Sequence, residues 1–389
     1  MKKDEAFVLG KISDKLYALP VGQRLAEHKK ALRLNSGSEF LIQLFKEEVD
    51  MEGILNAFAK KYNFTEAELL QEKNDIVNMV AYLEDYGVIN YENSVMAVNV
   101  DRQSKFFHYG NVYVSISGDE VYIDEKLKAF KIKACPDNCD KSLQKVCLFK
   151  GEPYNKLNGK VLLRNEEIVI MENDNRYILL FLQQPEIFEM HISKNGEKVY
   201  VYIDENADIN KTKEAVFCAL RFAYLIIARN NNIYVLHSAS IEYENRAWLF
   251  SASSGTGKST HANLWKNNLN TPILNGDLNA VGFVGDELYV YGIPWCGTSE
   301  IYSVEKKLLG GVIFLKQNND NYVEELSDEK KILKLMLRTI SPLWTKEMLE
   351  QFLHYAEKFA KLSNMVLLHC TKEDAALWVI KEKIDNFCH

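Results

Sequence analysis

The chain has 389 residues, of which 47% are hydrophobic and 26% are charged, and its formal net charge is −7. These proportions are typical of a globular protein, so they exclude an intrinsically disordered, collagen-like or coiled-coil chain. The acidic balance gives no general attraction to nucleic acid or to an anionic membrane, and neither is expected as a partner. At roughly 150 residues per domain, the length predicts two or three domains.

No segment is predicted to direct export or membrane insertion. The first residues lead into no apolar signal segment. The longest apolar stretch, 215–228, is interrupted by Arg221, and it is shorter than the roughly 20 residues of a spanning helix. Seven cysteines, an odd number, indicate reduced thiols. A cytoplasmic location is therefore predicted.

Residues 1–92 are predicted to form a small domain of their own. Two β-like runs end at Pro20, and a third short strand is expected at 31–34. Three amphipathic helices follow, each behind a candidate N-terminal cap. The caps are Ser36 with Glu39, Asp50, and Thr65 with Glu68. Short strands with three helices predict a winged-helix-like domain.

The rest of the chain divides into a β-rich part, 93–211, and a mixed part, 212–389. The β-rich part contains strand-like runs separated by Gly, Asn and Asp turns, at 112–116, 121–123, 161–163, 168–170, 177–182 and 199–203. The mixed part is expected to contain a buried helix at 213–229, strands at 235–241, 248–251, 312–315 and 365–370, and helices at 328–339 and 346–361. The predicted fold class is α/β with α+β character.

The most specific motif is the segment 248–260, which reads WLFSASSGTGKST. An apolar strand, a glycine-containing turn and a helix start follow one another, an order that wraps a phosphate in backbone N–H groups. Lys258 offers a positive charge to the β- and γ-phosphates, and the Ser259 hydroxyl is a candidate Mg²⁺ ligand. Ala252 stands where the strict pattern has its first glycine. The predicted nucleotide-binding residues are Ser254, Gly255, Thr256, Gly257, Lys258, Ser259 and Thr260.

Four motifs together resemble HPr kinase and its relatives, which share a P-loop fold with phosphoenolpyruvate carboxykinase. They are His237, SSGTGKS at 253–259, NGD at 275–277 and PWCGTSE at 294–300. The resemblance covers roughly residues 210–317, and more loosely 100–389. It implies a β-rich P-loop domain and a phosphotransferase that uses ATP and Mg²⁺. HPr itself is not the expected substrate, because residues 301–303 read Ile-Tyr-Ser where the family has an Arg-Gly run. Carboxykinase activity is not expected either, since no set of metal ligands and arginines for oxaloacetate is found.

The resemblance also implies roles for individual residues. Asp277 matches one member of an Asp-Asp pair that contacts Mg²⁺ and accepts the substrate proton, but Gly276 replaces the other member. The division between base and metal ligand therefore stays open. Glu300 matches a second Mg²⁺ contact, with a solvated loop carboxylate as the alternative, and His237 matches a histidine near the transferred phosphate, with a structural role as the alternative. The catalytic candidates are Asp277, Lys258 and His237, and the metal candidates are Ser259, Asp277 and Glu300.

Residues 12–92 resemble the PqqD-like domains, also called RiPP recognition elements. The matching segments are LPVG at 19–22, LRLN at 32–35, FLIQLF at 40–45 and LEDYGVI at 83–89. The resemblance implies that a leader peptide adds a strand near 31–34 and packs against the third helix, near Ile76, Val80 and Leu83. DNA binding is disfavoured, because residues 1–90 carry 12 Lys and Arg against 15 Asp and Glu. A packing domain without a ligand is the other alternative.

Taken together, these features predict an ATP-dependent kinase that phosphorylates a Ser or Thr hydroxyl on a ribosomally made precursor peptide held by residues 12–92. A small-molecule kinase and a non-catalytic, nucleotide-gated peptide adaptor are the alternatives, and the lost acidic residue at Gly276 favours the adaptor. Relatives of this fold often form oligomers, so a homo-oligomer stays open. Cys135, Cys139 and Cys147 are candidate zinc ligands, with isolated thiols as the preferred interpretation.

Overall fold

The computed structural model describes residues 2–3, 7–22, 30–45, 49, 51–90, 104–136, 143–153, 159–173, 175–253 and 255–388. The chain is a mixed α/β protein built on two nine-stranded sheets, with smaller sheets of two and three strands. Within these ranges, no helix combines the length and the apolar content that crossing a bilayer requires.

The elements are numbered in chain order. The strands up to residue 203 are β1 (Lys2–Lys3), β2 (Phe7–Ile12), β3 (Lys15–Pro20), β4 (Leu32–Arg33), β5 (Ile89–Asn90), β6 (Lys105–Tyr109), β7 (Val112–Ser117), β8 (Lys131–Ile132), β9 (Leu143–Lys150), β10 (Lys160–Arg164), β11 (Ile168–Glu172), β12 (Arg176–Phe181), β13 (Ile187–Ser193) and β14 (Lys198–Ile203). The later strands are β15 (Ile233–His237), β16 (Ala239–Tyr243), β17 (Arg246–Ser251), β18 (Ile273–Asn275), β19 (Leu278–Val284), β20 (Glu287–Tyr291), β21 (Lys306–Gln317), β22 (Tyr322–Glu325) and β23 (Asn364–Cys370). The helices are α1 (Ser36–Leu44), α2 (Met51–Tyr62), α3 (Glu66–Tyr86), α4 (Ile209–Asn230), α5 (Lys258–Leu269), α6 (Asp328–Arg338), α7 (Lys346–Leu362) and α8 (Asp374–Cys388).

The N-terminal region combines the three-stranded antiparallel sheet β2-β3-β4 with helices α1 to α3. Helix α3 begins at the expected capping box, in which Thr65 and Glu68 bond each other's backbone, and ends at Gly87 in the left-handed conformation. The cap of α1 is Asn35, whose side chain accepts from the Ser38 N–H, so the expectation of Ser36 is wrong by one residue. The other candidate cap, Asp50, and the boundary between residues 92 and 93 lie outside the described residues.

The first large sheet has the order β10-β11-β12-β13-β14-β9-β7-β6-β8. Its pairs are antiparallel except at β9, which runs parallel to both of its neighbours. Helix α4 packs on one face of this sheet and shares its core. The strand expected at 121–123 is instead a short 3₁₀ helix, Glu120–Tyr122, because Asp119 caps it by accepting from the Val121 N–H.

The N-terminal region packs on the opposite face of the first sheet. Successive strand residues point to opposite faces, so Tyr200 and Tyr202 of β14 face α1 to α3 while their neighbours along the strand face α4. Cys147 and Phe149 of β9 join the same buried cluster. Of the three candidate zinc ligands, Cys147 therefore lies in an apolar interface. Cys139 lies outside the described residues.

The second large sheet has the order β15-β19-β20-β21-β17-β16-β18, with β23 and β22 beside β21. Its centre is parallel: β17, β21 and β23 run side by side, so their carboxyl ends lie at one edge. The single strand expected at 235–241 is two strands separated by Ser238, because β15 pairs with β19 whereas β16 pairs with β17. Helices α6 and α7 pack on one face and α5 and α8 on the other.

Candidate nucleotide-binding and phosphoryl-transfer site

The loop 252–257 connects β17 to α5 at the carboxyl edge of the parallel strands. Gly257 is the N-cap of α5 at φ 115°, a conformation that a residue with a side chain rarely adopts. In the described part of the chain no side chain caps α5 and its first turn has no acidic residue, so its first N–H groups are available to bind an anion. Of the predicted binding residues, Ser254 lies outside the described residues, and the others occupy the loop or the first turn of α5.

Lys258 is the first residue of α5 and is 8% exposed. Burial lowers the pKa of its ammonium, the nearby carboxylate of Asp277 raises it, and the guanidinium of Arg338 lowers it further. Desolvation is the largest of these effects, so the positive charge of Lys258 is only partly compensated by the protein. Phosphate oxygens would supply the missing negative charge.

Asp277 and His237 form a close pair, with 3.0 Å between Oδ1 of the carboxylate and Nε2 of the imidazole. Both side chains are about one-third exposed. The hydrogen bond from His237 is the main cause that lowers the pKa of Asp277; burial raises this pKa, and the charges of Lys258 and Arg221 lower it. Asp277 is therefore an ionised carboxylate that is oriented by His237 and lies close enough to Lys258 for each to shift the pKa of the other.

The turn that carries Asp277 is fixed by the buried side chain of Asn275. Its Oδ1 accepts from the N–H groups of Asp277, at 2.9 Å, and Leu278, at 3.1 Å. Its Nδ2 donates to the carbonyls of Ile293, at 3.3 Å, and Trp295, at 3.2 Å. The sequence showed Asn275 only as the end of a predicted strand and the first residue of the NGD motif. Its positioning role depends in part on Ile293 and Trp295, which lie further along the chain.

Hydrogen bonds join this turn to residues 237 and 238, and these residues to the end of β17, the strand that precedes the loop. The Ser238 N–H donates to the carbonyl of Asp277 at 2.9 Å, and Nδ2 of Asn279 donates to the carbonyl of Ser238 at 2.6 Å. The Ser251 hydroxyl, at the end of β17, donates to the carbonyl of His237 at 2.8 Å. The candidate phosphate-binding loop, residues 252–257, and the Asp277–His237 pair are therefore parts of one hydrogen-bonded unit.

Gly276 stands where the resemblance places a second acidic residue, and the structure explains this difference. A Cβ at position 276 would lie 2.0 Å from Oγ of Ser299 and 2.4 Å from its Cβ. Those separations are far below a van der Waals contact, so the side chain of Ser299 fills the space that an aspartate at 276 needs. Asp277 is therefore the only carboxylate that this turn can present.

Glu300 is exposed and follows the short 3₁₀ helix Gly297–Ser299, with φ 54°. Besides burial, the charges of Glu300 and Asp277 both act on the thiol of Cys296 and raise its pKa. The described residues contain no group of three His, Cys, Asp or Glu side chains that could hold a metal ion. Mg²⁺ is commonly held by one or two carboxylates plus substrate phosphates, and Asp277 with the exposed hydroxyl of Ser259 is a donor set of that kind. The metal role of Glu300 stays a prediction.

Two residues at the loop were not among the predicted site residues. Nη2 of Arg338, at the end of α6, donates to the Ser253 hydroxyl at 3.0 Å. Nε2 of Gln317, at the end of β21, donates to the carbonyl of Thr256 at 3.2 Å. The sequence showed Arg338 in a basic run at helical spacing, for which a solvated face is the default and contact with a phosphorylated product the alternative. No local pattern connects Gln317 with the loop.

Comparison with known proteins gives a distant structural likeness. No protein-family model matches the chain, and no curated protein matches it by sequence. Among solved structures, the chain is similar to the HPr(Ser) kinase/phosphatase from Coxiella burnetii, with 9% identity and a TM-score of 0.25 over 40% of this chain and 99% of that one. A TM-score of this size assigns no function, so the residues of the site have to carry it.

Proposed function

We propose that the protein is an ATP- and Mg²⁺-dependent kinase of the cytoplasm that phosphorylates a Ser or Thr hydroxyl on a precursor peptide held by residues 12–92. The main support is the placement of an ionised carboxylate, Asp277, within electrostatic reach of Lys258 at the start of α5. Phosphoryl transfer depends on positioning and charge neutralisation more than on covalent chemistry. The loop and Lys258 supply both for the phosphates, and Asp277 orients the acceptor hydroxyl and accepts its proton.

In the proposed reaction the acceptor hydroxyl oxygen forms a bond to the γ-phosphorus while its proton passes to the Asp277 carboxylate. The bond between the γ-phosphorus and the β–γ bridging oxygen breaks, and ADP leaves with that electron pair. Lys258 and the N–H groups of the loop hold the phosphates, and His237 keeps Asp277 in position. Ser259 and Asp277 would hold Mg²⁺, which neutralises phosphate charge when it is bound.

The peptide part of the proposal is supported by the open side of the small N-terminal sheet. In the described part of the chain β4 is an edge strand that pairs only with β3. Beside it, the hydroxyl of Tyr86 in α3 donates to the carbonyl of Lys30 at 2.8 Å. The side chains expected to contact the peptide from α3, Ile76, Val80 and Leu83, are buried in the core of the domain. We therefore assign that contact to the half-buried Tyr82 and Tyr86.

Label transfer tests the proposal directly. The protein is incubated with Mg²⁺, γ-labelled ATP and a peptide-sized extract of the cells that make it, in parallel with the variants Asp277→Asn and Asp286→Asn. Asp286 is an exposed carboxylate whose side chain is 86% accessible, so its variant controls for the loss of one negative charge. We expect label on a peptide with the wild type and the control, and none with Asp277→Asn.

Other outcomes would change the proposal in defined ways. Label on small metabolites alone would make the protein a small-molecule kinase. ATP binding without any transfer would favour the nucleotide-gated adaptor, an alternative that has its own support in the single carboxylate left by Gly276 and Ser299.

A further inference from the structure

Arg338 is the last residue of α6, and its position is set by the strand that carries His237. The next residue, Thr339, forms an isolated antiparallel bridge with Leu236. The N–H of Ile340 then donates to the carbonyl of Val235 at 2.9 Å. Because β15 ends at His237, the C-terminus of α6 is held against the end of β15 that faces the site.

The guanidinium of Arg338 reaches the beginning of the phosphate-binding loop. It donates to the hydroxyl of Ser253, two residues after the end of β17. That end of the loop is the one joined to the Asp277–His237 pair, through the hydrogen bond from the Ser251 hydroxyl to the carbonyl of His237. Lys258 lies at the opposite end of the loop, where α5 begins. Arg338 therefore reaches the loop at the end that is joined to the Asp277–His237 pair, and its charge also acts on Lys258 at the other end.

Arg338 adds to a surplus of positive charge around the loop. Lys334 precedes it by one helical turn on the same side of α6, with its ammonium 5.5 Å from the centre of the Phe314 ring. The pKa values of Lys258 and Lys334 are both lowered, first by burial and then in part by Arg338. Three cations thus share a region in which Asp277 acts on Lys258, while Glu324, which already pairs with Lys330 and His369, acts on Lys334. A bound anion would relieve their mutual repulsion.

We propose that Arg338 is a catalytic residue that binds the transferring phosphoryl group, a proposal that rests on the kinase function above. A guanidinium placed where negative charge spreads over the transferring group stabilises the transition state of phosphoryl transfer. Phosphoryl oxygens accept stronger hydrogen bonds from a guanidinium than a serine hydroxyl does, and they can accept two at once. They therefore displace Ser253 as the partner of Arg338. Arg338 thereby distinguishes the transferring phosphoryl group from the diphosphate that remains.

The test compares binding of Mg·ADP alone with binding of Mg·ADP plus aluminium fluoride, which mimics the transferring phosphoryl group. The variant Arg338→Met keeps the aliphatic stem and removes the charge, and Lys346→Ala removes one positive charge from an 83% exposed side chain of α7 as a control. We expect the affinity of Arg338→Met for Mg·ADP to stay within about threefold of the wild type. The gain in affinity on adding aluminium fluoride should be at least about tenfold smaller, and the rate of phosphoryl transfer should fall about 10³-fold. The control should match the wild type in all three measurements.

Each other outcome has a defined meaning. The proposal would be overturned if aluminium fluoride tightened Mg·ADP binding as much in Arg338→Met as in the wild type. It would also be overturned if a variant with the melting temperature of the wild type lost affinity equally for Mg·ADP and for the analogue. If Arg338→Met does not fold, Arg338→Gln is judged by the same comparison. The analogue measurement needs no acceptor, so a wild type that shows tightening without any transfer would contradict the kinase function and leave Arg338 testable. A wild type that binds no Mg·ADP would overturn both.

Discussion

The ionisation of Asp277 is controlled by one neighbouring residue. Its pKa is lowered, and the hydrogen bond from His237 is the largest cause. A carboxyl group whose pKa is lower in the folded than in the unfolded chain adds stability above the unfolded value, and this contribution is lost as the pH falls through the folded value. The ionised carboxylate that the proposed reaction needs therefore persists to lower pH than an isolated aspartate would allow.

Removing His237 should move this titration to higher pH. In His237→Ala the largest cause is gone while burial still raises the pKa of Asp277, so the acidic limb of the transfer rate should shift upward in pH. The measurement is the pH profile of the transfer rate, paired with the pH dependence of unfolding. His354→Ala, which removes an exposed imidazole of α7, is the control. An acidic limb that stays in place would mean that His237 does not set the ionisation of Asp277.

The contact between Gly276 and Ser299 predicts a second effect of a single residue. Gly276→Ala places a methyl group 2.0 Å from the Ser299 hydroxyl, and such overpacking costs about 1–3 kcal/mol of the free energy of unfolding. The double variant Gly276→Ala, Ser299→Gly should recover most of that loss, and Ser299→Gly alone is the control. Denaturant unfolding measures all three. Equal stability of the single and double variants would show that another contact is responsible.

At the level of elements, the connection between β18 and β19 depends on Asn275. Asn275→Ala leaves the N–H groups of Asp277 and Leu278 and the carbonyls of Ile293 and Trp295 without their partner. An unsatisfied buried polar group costs about 1–3 kcal/mol, so we expect a loss of at least about 2 kcal/mol in the free energy of unfolding. Transfer should slow as well, because the turn that orients Asp277 loosens.

The control for this prediction is Asn268→Ala. Asn268 is exposed on α5 and bonds the carbonyl of Leu264 and the carboxylate of Asp374, so its loss should change stability little. Chemical denaturation and single-turnover transfer measure both variants. An Asn275→Ala protein as stable as Asn268→Ala would contradict the positioning role of Asn275.

The elements also show what the sequence can and cannot predict. The capping box at Thr65 and the loop before Lys258 are local patterns, and both lie where they were expected. The break at Ser238 is not local, because it arises from β15 and β16 pairing with different strands. The same contrast holds for the site. The sequence indicated Asp277 through a motif, whereas Arg338 is brought to the loop by the bridge between Thr339, which follows α6, and Leu236 of β15.

At the level of the whole molecule, the two large sheets share one core. Helix α4 packs against the first sheet and against Ile233 and Val235 of β15 in the second. Nε1 of Trp295, which follows β20, donates to the carbonyl of Phe217 in α4 at 3.0 Å. The N-terminal region then covers the outer face of the first sheet. A change in how that region docks is therefore separated from the phosphate-binding loop by a complete layer of structure.

Deleting residues 1–92 would be an ambiguous test of peptide capture. It would uncover Phe149, Tyr200 and Tyr202, which are at most 3% exposed in the full chain. Apolar surface of this kind promotes aggregation, so a loss of activity would not identify its cause. A substitution in the interface of the full chain is sharper, and the ion pair between Lys198 of β14 and Glu84 of α3, with 3.0 Å between Nζ and Oε1, offers one.

Lys198→Glu should weaken the docking of the N-terminal region without disturbing the loop. The new carboxylate faces Glu84, whose side chain is only 13% exposed, and like charges that are partly shielded from water repel strongly. Amide hydrogen exchange should quicken in α3 and β14 and stay unchanged in α5, whereas Lys160→Glu, at an exposed position of β10, should change neither.

Transfer to an acceptor that carries its leader should fall, because capture raises the local acceptor concentration only while the domain is held near the site. Transfer to the same acceptor without its leader should not change. Faster exchange in α5 would mean that the second sheet was disturbed, and an equal fall for both acceptors would exclude capture by this domain.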